Sequence, residues 1–250
     1  MKISFVIAAH NEEEYLGKCL ASVLKEKARG KYDMEVIVVN NASTDGTRAV
    51  AESFEGVKIT DEPLKGLPRA RQAGFAASRG DLIANLDADT ILPPEWIDTA
   101  LREFSEDERL VALSGPFVYY DLPKFTNLFV RAFFGLGVAA NALSQRVFRN
   151  GGVLQGGNFV LKRTALEKIG GYNLGIEFLG EDADVARRIG KVGRVKFTSN
   201  FPIYSSGRRI KSEGIVINGI IAALNYVWVT LWNKPLKKYY PSQTRAGKPR

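Results

Sequence analysis

The stretch GDLIANLDADTILPP, residues 80–94, joins an apolar run to a pair of carboxylates. Leu82 to Leu86 has the length and composition of a buried β-strand, and Asp87 and Asp89 follow it directly. Two acids this close repel each other unless a cation lies between them. Carboxylate oxygens suit a hard divalent ion, Mg²⁺ or Mn²⁺, which completes its shell with water and substrate phosphates. The pair therefore predicts a metal site for a di- or triphosphate ligand, and a strand-end cap is the alternative.

The segments around this stretch predict the fold class. Apolar strand candidates alternate with amphipathic helix candidates, the strands at 2–9, 34–40, 57–60 and 82–86, and the helices at 12–28, 45–54, 68–78 and 94–104. This alternation predicts an α/β domain in which helices cover both faces of a mostly parallel sheet. Further strands are expected at 195–198 and 202–204. Since ligands of such sheets bind beyond the carboxyl ends of the strands, the loops AAHNEE, VNNASTDGT and LDADT should converge on one crevice.

Composition limits the classes of function. The 250 residues carry a net charge of +8, which favours a phosphate-bearing ligand or an anionic membrane surface. We predict no nucleic-acid partner, because the basic residues are spread out and form no recognised module. One cysteine and one histidine exclude a disulfide, a cysteine metal cluster and a multi-histidine site. The start MKISFVIAAHNEEE is typical of a buried strand and not of a signal peptide, which predicts a cytoplasmic protein.

Four segments together resemble the family 2 glycosyltransferases: ISFVIAAHNEEEYLGKCLASV, EVIVVNNASTDGT, GLPRARQAGFAASRGDLIANLDADTILPPEWI and GGNFVLKRTALEKIGGYN with GEDADVARRI. The resemblance covers residues 1–210 and implies the Rossmann-like GT-A fold, a three-layer α/β sandwich. It implies a nucleotide-sugar-binding part at 1–115 and an acceptor and catalytic part at 116–210. Residues 211–250 would add an apolar helix and a basic tail.

The resemblance also implies a role for each matching residue. The donor would be a nucleotide-diphosphate sugar (a UDP- or GDP-sugar), the cofactor Mg²⁺ or Mn²⁺, and the acceptor a hydroxyl group. Asp182 matches the catalytic base of an inverting transfer, and Asp89 matches the metal ligand. The donor-binding positions that it implies are Ala8, His10, Glu12, Asn41, Arg71 and Asp87. The acceptor-side positions are Gly157, Asn158 and Glu181.

Two positions depart from the family pattern. Asn40 and Asn41 stand where relatives have an aspartate pair, the second of which reads the uracil edge. Asn41 can still form hydrogen bonds, but the lost charge leaves the choice of base open. The stretch YSSGRR, residues 204–209, lacks the metal-binding histidine of many relatives. Arg208 and Arg209 are expected to clamp the diphosphate instead, since arginine forms bidentate contacts with phosphate.

Two apolar segments suggest contact with a membrane. Residues 122–148 are predicted to be helical, with aromatic residues beside scattered cations, and residues 214–232 precede the basic stretch NKPLKK. We expect peripheral contact with the inner face of the cell membrane and a lipid-linked or cell-envelope glycan acceptor. A membrane span and simple core packing are the alternatives.

Two other functions fit parts of the sequence. An inactive nucleotide-sugar-binding scaffold is suggested by the asparagine pair and the missing histidine. A haloacid-dehalogenase-type phosphatase would use Asp87 as nucleophile and Asp89 as acid/base, since LIANLDADT matches its motif locally. In that class, however, the motif follows the first core strand, whereas here two strand–helix units precede it.

Overall fold

The computed structural model describes residues 1–123, 125, 126, 128, 152–176 and 180–214. Its strands are β1 (Ile3–Ala9), β2 (Met34–Asn41), β3 (Val57–Glu62), β4 (Leu82–Asp87), β5 (Thr90–Ile91), β6 (Leu110–Ser114), β7 (Phe117–Tyr119), β8 (Asn158–Lys162), β9 (Arg194–Phe197) and β10 (Ile203–Ser205). Its helices are α1 (Leu16–Ala28), α2 (Thr47–Glu52), α3 (Leu67–Ala77), α4 (Trp96–Glu106), α5 (Arg163–Lys168), α6 (Glu181–Ile189) and α7 (Arg208–Glu213).

A seven-stranded sheet in the order β3-β2-β1-β4-β8-β6-β9 forms the centre of the protein. Strand β8 runs antiparallel to both of its neighbours, and the other pairings are parallel. Side chains alternate between the two faces, so that Phe5 and Ile7 pack with α1 and α4 while Val6 packs with α3. The predicted mostly parallel α/β sandwich is confirmed.

A smaller sheet in the order β5-β10-β7 lies next to the carboxylate pair. Strand β5 follows Asp89 directly and pairs antiparallel with β10. The backbone N–H of Ser206 donates to the carbonyl of Asp89 at 3.2 Å. This sheet therefore brings the start of α7, some 120 residues later in the chain, beside the loop after β4.

The start of helix α1 and strand β6 differ from the sequence prediction, as do β5, β7 and α7. Helix α1 begins at Leu16 and not at Glu12, because Asn11 has a left-handed backbone (φ 56°) and the backbone N–H of Glu12 donates to Thr47 Oγ1. The preceding residues form a single turn, in which the carbonyl of Glu12 accepts from the N–H of Leu16 at 2.9 Å, and they also bond to the loop after β2. Strand β6 is not evident from the sequence, since a short apolar run without alternation does not distinguish a strand from a buried helix.

The two apolar segments lie mostly beyond the described part of the chain. Residues 129–148 and 215–250 fall outside it, so the predicted helices there, the basic tail and the boundary near residue 210 stay predictions. Of the residues that the structure describes, none belongs to a helix with enough length and hydropathy to cross a bilayer.

Two helical glycines give a direct test of how closely α3 packs on the sheet. A Cβ at Gly74 would lie 2.2 Å from Cγ1 of Val6, whereas a Cβ at Gly17 in α1 would meet only ordinary contacts at 3.8 Å or more. We expect Gly74→Ala to lower the free energy of unfolding by about 1–3 kcal/mol through overpacking. Gly17→Ala should be neutral or raise it by up to about 1 kcal/mol. Urea unfolding followed by circular dichroism measures both, and an equal response of the two variants would contradict the packing.

Candidate active site

The loops after β1 and β2 are joined to each other by hydrogen bonds. Thr44 donates its backbone N–H to Asn11 Oδ1 at 2.8 Å, and Gly46 donates its own to Glu13 Oε2 at 2.7 Å. The loop after β4 lies beside them, since Asp87 is level with Ala8 in the pairing of β4 with β1. The predicted convergence of these three loops at one end of the sheet is therefore what the structure shows.

A separate arginine contacts each carboxylate of the pair. Arg71 Nη2 lies 3.4 Å from Asp87 Oδ1, and Arg208 Nε lies 3.1 Å from Asp89 Oδ2. The Asp87 side chain is 36% exposed, and that of Asp89 is 12% exposed. Burial, with a smaller contribution from the charge of Asp87, raises the pKa of Asp89 to about 7 although Arg208 opposes the shift. Asp89 is therefore the more buried acid of the pair, and a nearby cation is needed to stabilise its negative charge.

Arg71 is the buried centre of the site. Its side chain is 1% exposed, and its guanidinium forms an ion pair with Glu181 as well as the contact with Asp87. The guanidinium carbon lies 4.8 Å from the centre of the Phe159 ring. The sequence led us to expect a direct contact between Arg71 and the donor. The structure places Arg71 in the interior, in contact with Asp87 and Glu181, and its contact with a donor stays a prediction.

Glu181 and Asp182 begin helix α6 immediately after Gly180, which adopts a left-handed backbone (φ 88°). Asp182 accepts backbone N–H groups from Ala183 at 2.8 Å and Gly156 at 3.2 Å, and it is half-buried. Burial raises the pKa values of both carboxyls. Glu181 was expected on the acceptor side. It lies within the Arg71 cluster, whereas Asp182 bonds to the loop at Gly156.

A glycine loop at 156–157 contacts both groups of acids. Gly157 has a φ of 79°, and a Cβ added there would lie 2.2 Å from Asp87 Oδ2. Gly156 bonds to Asp182 through its N–H. Only glycine permits this approach of backbone to carboxylate. Asp87 and Asp182 therefore contact neighbouring residues of one short piece of backbone.

Asn158, which we predict on the acceptor side, is held by partners in the protein interior. It is fully buried, and its amide nitrogen donates to the carbonyls of Gly115 and Phe201 at 3.0 and 2.9 Å. Its amide oxygen accepts from Trp96 Nε1 at 3.1 Å. These bonds fix the end of the glycine loop from behind.

Asn41, which we predict at the nucleotide base, forms its side-chain hydrogen bonds with the protein backbone. Asn41 is buried, and its side-chain amide bonds to the backbone of Glu62, Leu64 and Gly66 at 2.8–3.0 Å. It therefore holds the loop after β3. His10 Nδ1 donates to the carbonyl of Asn41 at 2.7 Å, which leaves Nε2 of a neutral ring as an acceptor.

Arg208 and Arg209 begin helix α7 on the other side of Asp89. The guanidinium of Arg208 pairs with both carboxylate oxygens of Glu12 and lies 4.5 Å from the centre of the Tyr15 ring. Arg209 is half-buried on the same helix. Arg208 thus connects the loop after β1 to the carboxylate pair.

Asp121 holds the start of helix α7 and belongs to no recognised sequence motif. Its carboxylate accepts from the backbone N–H of Gly207, from Ser206 Oγ at 3.1 Å and from Lys211 Nζ at 3.0 Å. The sequence offers one signal, which is that Asp121 is the last acid before a long acid-free stretch. Its role could not be assigned without knowing which segment lies beside it.

Asp87 and Asp89 suit a divalent metal that takes most of its ligands from water and from the phosphates of a bound substrate. Within the described ranges, no cluster of three or more His, Cys, Asp or Glu side chains could bind a metal on its own. Asp89, with Asp87 beside it, provides hard oxygen ligands at the mouth of the sheet. Mg²⁺ and Mn²⁺ commonly take their remaining ligands from water and substrate phosphates in such sites.

Comparison with known sequences decides the family. The family model described as "Glycosyl transferase family 2" matches residues 4–170, more than half of the chain. The chain belongs to glycosyl transferase family 2. The phosphatase alternative is wrong, since Asp87 ends the fourth strand of a glycosyltransferase sheet. A probable glycosyltransferase of Bacillus subtilis, YdaM, is 28% identical over 205 residues, which are 77% of this chain and 47% of that protein. The chain spans less than half the length of the curated relatives that it matches first.

Solved structures agree on the GT-A fold. A mannosyltransferase from Pyrobaculum calidifontis, in complex with GDP-Man and Mn²⁺, superposes with a TM-score of 0.63 at 20% identity, over 89% of this chain and 64% of its own. The glucosyl-3-phosphoglycerate synthase of Mycobacterium tuberculosis, in complex with Mn²⁺, uridine diphosphate and phosphoglyceric acid, superposes with a TM-score of 0.61 at 19% identity, over 92% and 77%. These likenesses confirm the predicted fold.

The buried ion pair between Arg71 and Glu181 can be tested by a double-mutant cycle. Arg71→Met leaves two carboxylates without their cation and should lower the free energy of unfolding by about 3–5 kcal/mol. Adding Glu181→Met removes one of these carboxylates, so the double variant should lose less than the sum of the single variants. Urea denaturation of the four proteins measures the coupling, and additive losses would contradict the pairing.

Proposed function

We propose that the chain is a metal-dependent, inverting glycosyltransferase that moves a sugar from a UDP- or GDP-sugar to a hydroxyl acceptor. The observation that supports this most is that Asp87 and Asp182 contact adjacent glycines of one loop, since Gly157 lies against Asp87 and Gly156 donates its N–H to Asp182. One acid belongs to the pair suited to a metal and a diphosphate. The other is a half-buried carboxylate at the start of a helix. An inverting transfer needs both groups at one site, with a base that acts on the acceptor hydroxyl as the diphosphate leaves from the other face of the sugar.

On the donor side, Asp89 is the candidate metal ligand, with Asp87 beside it. When bound, a divalent metal neutralises the charge that develops on the departing nucleoside diphosphate. Asp87 is fixed by Arg71 and by the backbone of Gly157, so its carboxylate is already oriented before the donor arrives. His10 and Ala8 line the same end of the sheet at the nucleotide side.

On the acceptor side, Asp182 is the candidate general base. It would take the proton of the acceptor hydroxyl while that oxygen bonds to the anomeric carbon and the bond to the diphosphate breaks. Burial raises the pKa of Asp182, which makes the carboxylate a better proton acceptor near neutral pH. The two N–H groups from Ala183 and Gly156 hold its orientation.

The structural neighbours support a nucleotide-sugar donor and a divalent metal. The mannosyltransferase was solved with GDP-Man and Mn²⁺, and the synthase with uridine diphosphate and Mn²⁺. Both bases therefore occur with this fold. We keep both in the proposal, because Asn41 is engaged with the backbone and does not favour either one.

We further propose a lipid-linked glycan acceptor and peripheral attachment to the cytoplasmic face of the membrane. Phe125 and Leu128 support this, because their side chains are 76% and 69% exposed shortly after Asp121. Apolar side chains that stand out beside basic residues are typical of interfacial segments.

The scaffold alternative would bind the donor without turnover. The geometry gives it no specific support, since Asp89 and Asp182 are both present and both held in place. It remains distinguishable from the enzyme by comparing binding with transfer.

A metal-dependent donor site predicts a conditional gain in thermal stability. UDP or GDP together with Mn²⁺ should raise the melting temperature of the wild type, because a ligand that binds only the folded state stabilises it by mass action. Asp89→Asn should abolish the shift while its own melting curve stays cooperative. A panel of nucleoside diphosphates with Mn²⁺, Mg²⁺ or EDTA, read by differential scanning fluorimetry, measures this. An equal shift in EDTA would contradict the metal site.

A catalytic Asp182 predicts a loss of transfer without a loss of binding. Asp182→Asn should reduce turnover about 10²–10⁴-fold, the usual contribution of a general base. The matched variant Asp184→Asn should keep turnover, since Asp184 pairs with Arg187 and Arg188 instead. Release of nucleoside diphosphate from a panel of nucleotide sugars, together with the affinity for the diphosphate itself, measures both effects.

The same base predicts a pH dependence. Because burial raises the pKa of Asp182, kcat/KM should fall as pH drops through a value above the ordinary aspartate pKa of about 4. An acid limb at or below the ordinary value would argue against Asp182 as the base.

A further inference from the structure

Arg208 is held by groups from three separate parts of the chain. Its Nη atoms pair with the carboxylate of Glu12, its Nε lies 3.1 Å from Asp89 Oδ2, and its guanidinium stacks 4.5 Å from the ring of Tyr15. The side chain is 27% exposed, so the pair with Asp89 is only partly accessible to water. A positive charge thus already rests on the carboxylate that would bind the metal.

The start of helix α7 is fixed independently of this guanidinium. Asp121 accepts from the N–H of Gly207, from Ser206 and from Lys211. A Cβ at Gly207 would lie 2.4 Å from Cγ of Leu122, so the turn is packed as closely as its backbone allows. The location of Arg208 at Asp89 is therefore set by the fold.

The two carboxylates do not hold Arg208 equally. Glu12 contacts both terminal nitrogens of the guanidinium, whereas Asp89 contacts Nε through one oxygen. A bidentate pair is the stronger and more directional of the two. The contact with Asp89 can therefore break while Glu12 keeps the side chain at the mouth of the site.

We propose that Arg208 is a resident counter-cation of Asp89, which a divalent metal must displace, and that the released guanidinium then binds the donor diphosphate. This inference rests on the proposed function. Asp89 loses its contact with the Arg208 guanidinium and binds the metal. Arg208 loses its contact with Asp89, binds the phosphates and keeps its ion pair with Glu12. The protein without nucleotide binds the metal weakly, and metal and nucleoside diphosphate strengthen each other's binding.

The exchange predicts opposite effects of one substitution on two ligands. Removal of a competing charge from a partly exposed carboxylate should strengthen Mn²⁺ binding without nucleotide about three- to tenfold in Arg208→Gln. The same variant should bind UDP or GDP more weakly than the wild type in saturating Mn²⁺. If Arg208 had a purely structural role, its substitution would weaken the binding of both ligands. If Arg208 only bound the phosphates, its substitution would weaken nucleotide binding and leave Mn²⁺ binding unchanged.

The experiment uses the full chain, with Mn²⁺ alone as the first probe. The free-ion signal in electron paramagnetic resonance gives the Mn²⁺ affinity, and isothermal titration calorimetry with UDP and GDP gives the nucleotide affinity. Arg194→Gln removes the same charge from an exposed ion pair with Asp107 and should leave Mn²⁺ binding without nucleotide unchanged. Arg208→Lys keeps the charge and should stay near the wild-type Mn²⁺ affinity, so it serves as a second test if Arg208→Gln does not fold.

The outcomes separate this inference from the proposed function. Tighter Mn²⁺ binding in Arg208→Gln, with wild-type binding in Arg208→Lys, supports the exchange. Equal or weaker Mn²⁺ binding in Arg208→Gln overturns it. If Asp89→Asn loses Mn²⁺ and nucleotide binding while Arg208→Gln matches the wild type for Mn²⁺, only the exchange falls. If Asp89→Asn binds both ligands as the wild type does, the donor site itself is wrong, and the exchange falls with it.

Discussion

The guanidinium of Arg71 lies buried between carboxylates from two elements that are far apart in the chain, Asp87 at the end of β4 and Glu181 at the start of α6. A charge in the interior is stable only where it is paired, and loss of one partner leaves the other unpaired at high cost. The positions of β4 and α6 are therefore linked through this one side chain. Asp182 follows Glu181 directly, so the candidate base is placed by the same interaction that orients the donor-side carboxylate.

A second arginine serves the same pair of acids from the open side. Arg208 lies against Asp89 and Glu12, and it reaches that place because β10 pairs with β5. The two arginines differ in what they can do. Arg71 is enclosed and cannot leave its carboxylates without uncovering buried charge, whereas Arg208 is partly exposed and has a second acid to hold it. One is suited to fixing the site and the other to exchanging partners when ligands enter.

Much of the fold and part of the site could be predicted from the sequence. The alternation of strands and helices predicts the sheet, and the placement of polar loops after β1, β2 and β4 predicts where they meet. The roles of Asn41, Asn158 and Glu181 could not be predicted in this way. A motif gives the residue type, but the partners of Asn158 are the carbonyls of Gly115 and Phe201, more than forty residues away in each direction. Asp121 went unassigned for the same reason, since its partners begin at Ser206.

A crystal structure of the chain with Mn²⁺ and UDP or GDP would test the central claim most directly. We predict electron density for Mn²⁺ within about 2.2 Å of an Asp89 oxygen, with the diphosphate on the same ion. Arg71 should remain on Glu181, and Asp182 should keep its bond to the N–H of Gly156. A nucleotide bound elsewhere, or a metal that does not touch Asp89, would contradict the account.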